Sequence, residues 1–218
     1  MPLSIVLINS LLFLDPKGKL IDSSIRKDWR KEGRPDIVHR VLLAITDSPV
    51  YRTKPFDVYI HTAEGRIFKV ERGIRPPRNY IRFCGLMEQL LKEGRVGPKN
   101  SPLIYETSNL DKHLSSADLV ITLSERGKAV DPLYMIKCIR DLDYVLLVGC
   151  FHRGDLPPDI MKKSDIELSL ADLSLSASAA IAIFLSLIYY AERWSAEEGK
   201  GETEEDSWRE NKNSAKPC

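Results

Sequence analysis

Apolar positions along this 218-residue chain fall into short strand-like runs and longer runs of helical period. Residues 3–8 read as a first buried strand, and an apolar-periodic helix around residues 37–45 ends at Thr46-Asp47-Ser48-Pro49. Residues 56–61 and 66–70 flank Glu64-Gly65 and predict a hairpin. Tyr80, Phe83, Cys84, Met87, Leu90 and Leu91 then recur as one helical face, with Pro76 and Pro77 suited to its first turn and Gly94 to its stop. Beyond a Gly/Pro/Asn loop at 97–102, apolar strands at 119–123, 144–148 and 166–170 each run into a loop of small and polar residues. Strands separated by helices predict a parallel sheet of α/β class, which binds ligands beyond its carboxyl edge. The three loops are either one small-molecule pocket or ordinary connections.

On the far side of the Tyr80–Leu91 face, helical spacing would stack Arg78, Arg82, Gly85 and Gln89, with Arg75 just before the first turn. Positive charge, a helix N-terminus and bare glycine backbone together suit phosphate, although a charged face is also an ordinary solvated surface. The neighbourhood favours phosphate. Residues 66–99 hold nine Lys or Arg against three Glu, and a second basic run at 26–31 carries Trp29 among its charges, with Arg34 beyond. Nucleic acid is therefore the leading partner.

With 43% hydrophobic residues the chain can bury a substantial core. We read residues 1–196 as a single domain, with a nucleic-acid-binding elaboration at about 22–100, and residues 197–218 as a mobile charged tail. That tail holds seven acidic against four basic residues, so the body is more basic than the net charge of +1 suggests. Cys84, Cys138, Cys150 and Cys218 are widely spaced and read as reduced thiols, mostly in the core. Residues 1–8 lack the pattern of a signal peptide. The Ala/Ser-rich apolar stretch at 173–190, interrupted by four serines, reads as a core or subunit-interface helix rather than a membrane span.

Gly149 and Gly154 have P-loop spacing, but Asp155-Leu156 stands where Lys and Ser/Thr should be, so ATP hydrolysis is not expected. No dinucleotide glycine signature or zinc-protease signature occurs. His39, His61, His113 and His152 are scattered, and no metal site is expected.

Arg34-Pro-Asp36-Ile-Val-His39, Asp47-Ser-Pro49, Val58-Tyr-Ile-His-Thr62, Arg75-Pro-Pro-Arg78 and Arg82-Phe-Cys-Gly-Leu-Met87 occur in that order. Over about residues 34–194 the chain resembles the SPOUT-class small-subunit rRNA pseudouridine N1-methyltransferases of ribosome biogenesis. The resemblance implies an α/β fold with a C-terminal trefoil knot, a β-hairpin/helix elaboration, a homodimer and S-adenosyl-L-methionine as cofactor. Small-subunit rRNA would be the substrate, ribosomal assembly proteins would be further partners, and no membrane is involved. The chain begins almost directly with its first strand, which favours an archaeal-type member in the cytoplasm over a nucleolar eukaryotic one.

Carried onto this sequence, the resemblance makes Arg34, Arg75, Arg78 and Arg82 RNA contacts and Asp36 the carboxylate that steadies Arg34. It places Asp47 beside the target base as the catalytic residue. Its cofactor loops contain Leu123 with Ser124, Gly149 through Gly154, and Leu170, Ala171, Asp172, Leu173, Ser174 and Leu175. Where the family reads like I-S-N-Y-P-L-S, this chain has Leu170-Ala-Asp-Leu-Ser-Leu-Ser176, and His152-Arg153 replaces a small residue followed by His. A non-catalytic rRNA-binding assembly factor with a degenerate cofactor pocket is therefore the second reading.

The chemistry follows from the substrate. Pseudouridine is joined to its sugar through carbon and keeps a weakly acidic N1–H, so the site must align N1 with the methyl donor and help the proton leave. Asp47 is the candidate acceptor, its other reading being a cap on the turn before Pro49. Tyr80 or Trp29 would support an extruded nucleotide.

Overall fold

The computed structural model describes residues 3–25, 32–107, 110–129 and 131–198. The basic run at 26–31 with Trp29, Cys218 and the tail from 199 onward lie outside the described residues. Strands β1 (Leu3–Ser10), β2 (Asp57–Thr62), β3 (Ile67–Val70), β4 (Arg95–Val96), β5 (Ile104–Thr107), β6 (Leu119–Ala129), β7 (Tyr144–Gly149) and β8 (Ile166–Ser169) form one sheet in the order β4-β5-β3-β2-β1-β7-β6-β8. From β2 to β8 all pairings are parallel, while β3, β5 and β4 extend the sheet antiparallel from the expected hairpin.

Helices α1 (Pro35–Asp47), α2 (Pro49–Thr53), α3 (Tyr80–Glu93), α5 (Pro132–Ile139) and α7 (Ala177–Glu198) cover one face, and α4 (Leu110–Ser115) and α6 (Pro158–Met161) the other. Alternation along β1 explains both cores. Ile5 and Leu7 join the α1/α3/α7 side, and Val6 and Ile8 join Leu110, Leu114 and Ile160 on the other. A strand buried on both faces has to be apolar throughout, which is how residues 3–8 read.

Pro35 occupies the first turn of α1, where its missing N–H is not needed. Ile37, Val38, Val41, Leu42 and Ile45 are buried in the core that also takes Ile181, Phe184, Leu185 and Ile188 of α7. Each such side chain contributes about 1.5–3 kcal/mol of burial energy. Helix α1 is thereby fixed in position.

Three elements depart from the sequence reading. Helix α3 begins at Tyr80 rather than at the prolines, because Asn79 supplies its cap and accepts the Arg82 N–H at 3.0 Å. Residues preceding a proline avoid helical backbone, so the Pro76-Pro77 segment stays outside the helix. Arg78 therefore leaves the helical stripe, while Arg82 and Gly85 remain on it. Gly94 ends the helix in the left-handed region, as expected.

Strand β6 does not stop at Leu123. It pairs with β8 through Leu123, extrudes residues 124–127, and pairs again at Lys128 and Ala129. Gly127 makes this possible, since a Cβ there would come within 2.6 Å of the Leu168 backbone. Ser-Glu-Arg-Gly has turn composition, so sequence alone could not separate a strand end from an interruption.

Finally, residues 173–176 form a loop and α7 begins at Ala177. Its buried face is Ile181, Phe184, Leu185, Ile188 and Ala191, whereas Ile183 and Tyr190 are exposed. No described helix is long and apolar enough to cross a membrane. Among the cysteines Cys150 is buried and Cys84 half-buried, but Cys138 is exposed on the outer side of α5 and is not a core thiol.

Candidate active site at the carboxyl edge of the sheet

The carboxyl ends of β6, β7 and β8, closed by the first turns of α1 and α7, surround a cavity of about 740 Å³. All three loops singled out in the sequence contribute to it. Leu123 comes from β6, Gly149 and Gly154 from β7 and its loop, and Leu170, Ala171, Leu173, Ser174 and Leu175 from the loop after β8. Asp172 is exposed and does not line the cavity.

Val148, Phe151 and Leu168 supply apolar wall suited to a flat ring. Gly149 lies under the Phe151 ring, whose edge a Cβ would meet at 2.8 Å. Across the mouth, Arg126 of the extruded β6 segment donates to Asp155 of the β7 loop at 2.7 Å. His152, also in the lining, bonds Glu32 through Nε2 at 2.7 Å.

The sequence reading missed the contribution of α1, whose Ile37 and Arg40 line the cavity beside Arg34. Arg34 donates to Asp36 through Nε at 2.7 Å and Nη2 at 2.9 Å, the forked geometry that orients both groups. Arg40 adds a third bond, Nη2 to Asp36 Oδ2 at 2.8 Å. Asp36 thus steadies two arginines, not one. Helical spacing of 36 and 40 was the available signal.

Burial alone would raise the Asp36 pKa, but the hydrogen bond and charge of Arg34, with Arg40 behind, outweigh it and hold the carboxyl below its ordinary value. A depressed folded-state pKa contributes stability that is present above the unfolded value and lost as pH falls through the folded one. Asp36→Asn should therefore lower Tm by a constant amount above about pH 5, with the gap to wild type shrinking below about pH 4. Thermal melts across pH 3–8 check this, and a gap that grows on acidification would refute it.

Arg75, Arg78 and Arg82 are exposed and do not line the cavity. Their segment is nonetheless pinned. His39 of α1 donates through Nε2 to the Pro77 carbonyl at 2.7 Å, and its ring stacks on Phe83 of α3 at 4.5 Å. Arg78 Nη2 donates to Asp47 Oδ2 at 3.1 Å. Asp47 is the last residue of α1, so it lies at the far end of that helix from the Arg34–Asp36 pair, about 16 Å along the axis. In one chain it is outside the cavity. The turn before Pro49 is instead held by Ser48, whose Oγ donates to the Ile45 carbonyl at 2.7 Å and accepts the Tyr51 N–H of α2 at 3.2 Å. Tyr80 is half-buried and donates to Asp22 at 2.5 Å, so its ring is tied to the protein.

Residues 9–188 match the EMG1/NEP1 methyltransferase family. The chain belongs to that family. It is 34% identical over 180 residues to the ribosomal RNA small subunit methyltransferase Nep1 of Saccharolobus solfataricus, covering 78% of this chain and 80% of the relative. Nep1 of Staphylothermus marinus is 35% identical over 212 residues, covering 83% and 92%. The crystal structure of Archaeoglobus fulgidus Nep1 bound to S-adenosylhomocysteine superposes with a TM-score of 0.75 at 27% identity, covering 88% of this chain and all of that one. The eight-stranded α/β sheet described here is thus the EMG1/NEP1 fold.

Proposed function

We propose that this protein methylates N1 of a pseudouridine in small-subunit rRNA, using S-adenosylmethionine. The observation that carries the reading is the cavity at the ends of β6, β7 and β8 with two arginines at its mouth, in a chain of the EMG1/NEP1 family. Its relatives are named as small-subunit rRNA methyltransferases, and one of them holds S-adenosylhomocysteine, the product left after methyl transfer. The apolar wall of Val148, Phe151 and Leu168 fits a purine ring, and the loops at 149–154 and 170–175 offer backbone groups to its sugar.

When bound, the cofactor supplies a methyl group on a sulfonium, an electrophile that needs no metal. The protein's part is placement and proton removal. Arg34 and the exposed Arg75, Arg78 and Arg82 hold RNA phosphates, and Asp36 keeps Arg34 aimed. Within one chain the Asp47–Arg78 pair lies too far along α1 from the cavity mouth for one base to touch both, so in this reading the Asp47 that polarises N1–H and takes the proton late in the transfer comes from the second copy of the proposed homodimer.

Further parts of the reading are a homodimer and a trefoil-knotted C-terminal path within one domain spanning 1–196. Exposed Tyr134 on α5 and Ile183 and Tyr190 on the neighbouring α7 form apolar surface of the kind a second copy would cover.

Calorimetric titration with S-adenosylhomocysteine, combined with methyl transfer to a pseudouridine-containing rRNA hairpin, tests the function. Micromolar or tighter binding, N1-methylated product and twice the chain mass by light scattering are expected. Intact RNA affinity without cofactor binding or product would make the protein a scaffold in ribosome assembly, with the altered loop at 170–176 as the cause.

A further inference from the structure

We infer that Arg40 is a positioning residue for the reaction, holding an RNA phosphate of the target nucleotide at the mouth of the cofactor cavity. The inference rests on the methyltransferase reading. Nothing in the family motifs points to this residue, and it emerges from three features of the fold.

The first is charge. Asp36 receives Arg34 on both carboxylate oxygens and Arg40 on Oδ2, so one negative charge serves two guanidinium groups. One positive charge at the cavity mouth is left uncompensated within this cluster. The second is donor geometry. Arg40 uses Nη2 on Asp36 and Nε on the Asp36 backbone carbonyl at 3.3 Å, and its Nη1 has no protein partner among the described residues. The guanidinium is thereby oriented but not saturated, the state in which arginine binds a phosphate oxygen with little further ordering.

The third feature is place. The Arg40 side chain is 55% exposed against 22% for Arg34, yet both line the cavity. Arg34 is therefore the inner group and Arg40 the outer one. A base that leaves its stack to enter the cavity keeps its sugar and phosphate behind it at the entrance. An outward arginine at that entrance meets the phosphate rather than the base. The cofactor's carboxylate is the competing anion, but a small ligand seated among Val148, Phe151 and Leu168 is better served by the inner Arg34 than by a side chain more than half in solvent.

The test measures the salt dependence of binding to a pseudouridine-containing hairpin for wild type, Arg40→Gln, Arg40→Lys and Lys99→Gln, alongside calorimetry with S-adenosylhomocysteine. One lost phosphate contact should flatten the slope of log affinity against log salt by about one in Arg40→Gln. Arg40→Lys should restore most of the slope, and Lys99→Gln, exposed in the turn between β4 and β5, should leave it near wild type. S-adenosylhomocysteine affinity should stay within about twofold in all four. An unchanged slope in Arg40→Gln overturns the inference, and so does a loss of S-adenosylhomocysteine affinity, which would assign Arg40 to the cofactor's carboxylate. Wild type that binds RNA with a normal slope but transfers no methyl group would sink the methyltransferase reading alone, leaving the phosphate contact standing.

Discussion

Replacement of Asp47 by Asn is expected to lower the rate of methyl transfer by on the order of a hundredfold or more, while RNA and cofactor affinities stay within about tenfold. Asparagine keeps the size of the side chain at the end of α1 but cannot accept a proton. The structural alternative, that Asp47 merely caps the turn before Pro49, is weakened because Ser48 already does so. Asp47 instead faces Arg78 across 3.1 Å, with 45% of its side chain in solvent. Removing its charge releases Arg78, so RNA affinity should not suffer from lost positive potential. Single-turnover rates at saturating RNA separate binding from chemistry. A substrate with uridine in place of pseudouridine presents carbon instead of N1–H and should receive no methyl group even from wild type. Near-normal turnover by Asp47→Asn on pseudouridine would show that water or another group takes the proton.

The second large effect concerns the arginines. Arg78→Ala combined with Arg82→Ala should weaken binding of a cognate hairpin by more than about tenfold at ~0.1 M salt, whereas Lys92→Ala combined with Lys99→Ala should cost only a few-fold. Both pairs remove two positive charges, so the comparison isolates position from total charge. Arg78 and Arg82 are presented by a segment that His39 and Asn79 hold in one shape. Lys92 already has Glu88 within 3.9 Å, and Lys99 sits in an exposed turn. Losing Arg78 leaves Asp47 without its partner, but at this exposure such a pair contributes little to stability. Circular dichroism should therefore be unchanged. Equal losses from the two double variants would reduce the arginines to part of a diffuse field.

Much of this arrangement is legible in the residue pattern because burial imposes it. Strands β1 and β7 are apolar on both faces, and α1 and α3 carry one apolar side each, so their places follow from which residues must leave water. The loops that line the cavity are legible for a related reason, since small polar residues after an apolar strand mark the sheet's carboxyl edge. What escaped the pattern depends on tertiary partners. The helical start at Asn79 turns on one side-chain cap competing with two prolines, and the continuation of β6 past Gly127 turns on how closely β8 approaches. The spacing of Asp36 and Arg40 was legible as a helical pair, but the place of Arg40 at a cavity was not. A charged residue on a helix's polar side acquires meaning only when the neighbouring loops close a cavity against it.

Helix α1 joins the two halves of the proposed reaction in one rigid piece. Its start carries Arg34 and Arg40 beside the cavity, His39 anchors the segment that presents Arg75 and Arg78, and its last residue is Asp47. In the proposed reaction the separation between the cavity and the Asp47–Arg78 pair is thus set by the rise of a packed helix, about 1.5 Å per residue. The protein carries its own ruler, which fixes how far apart the points gripped at its two ends lie along a bound RNA.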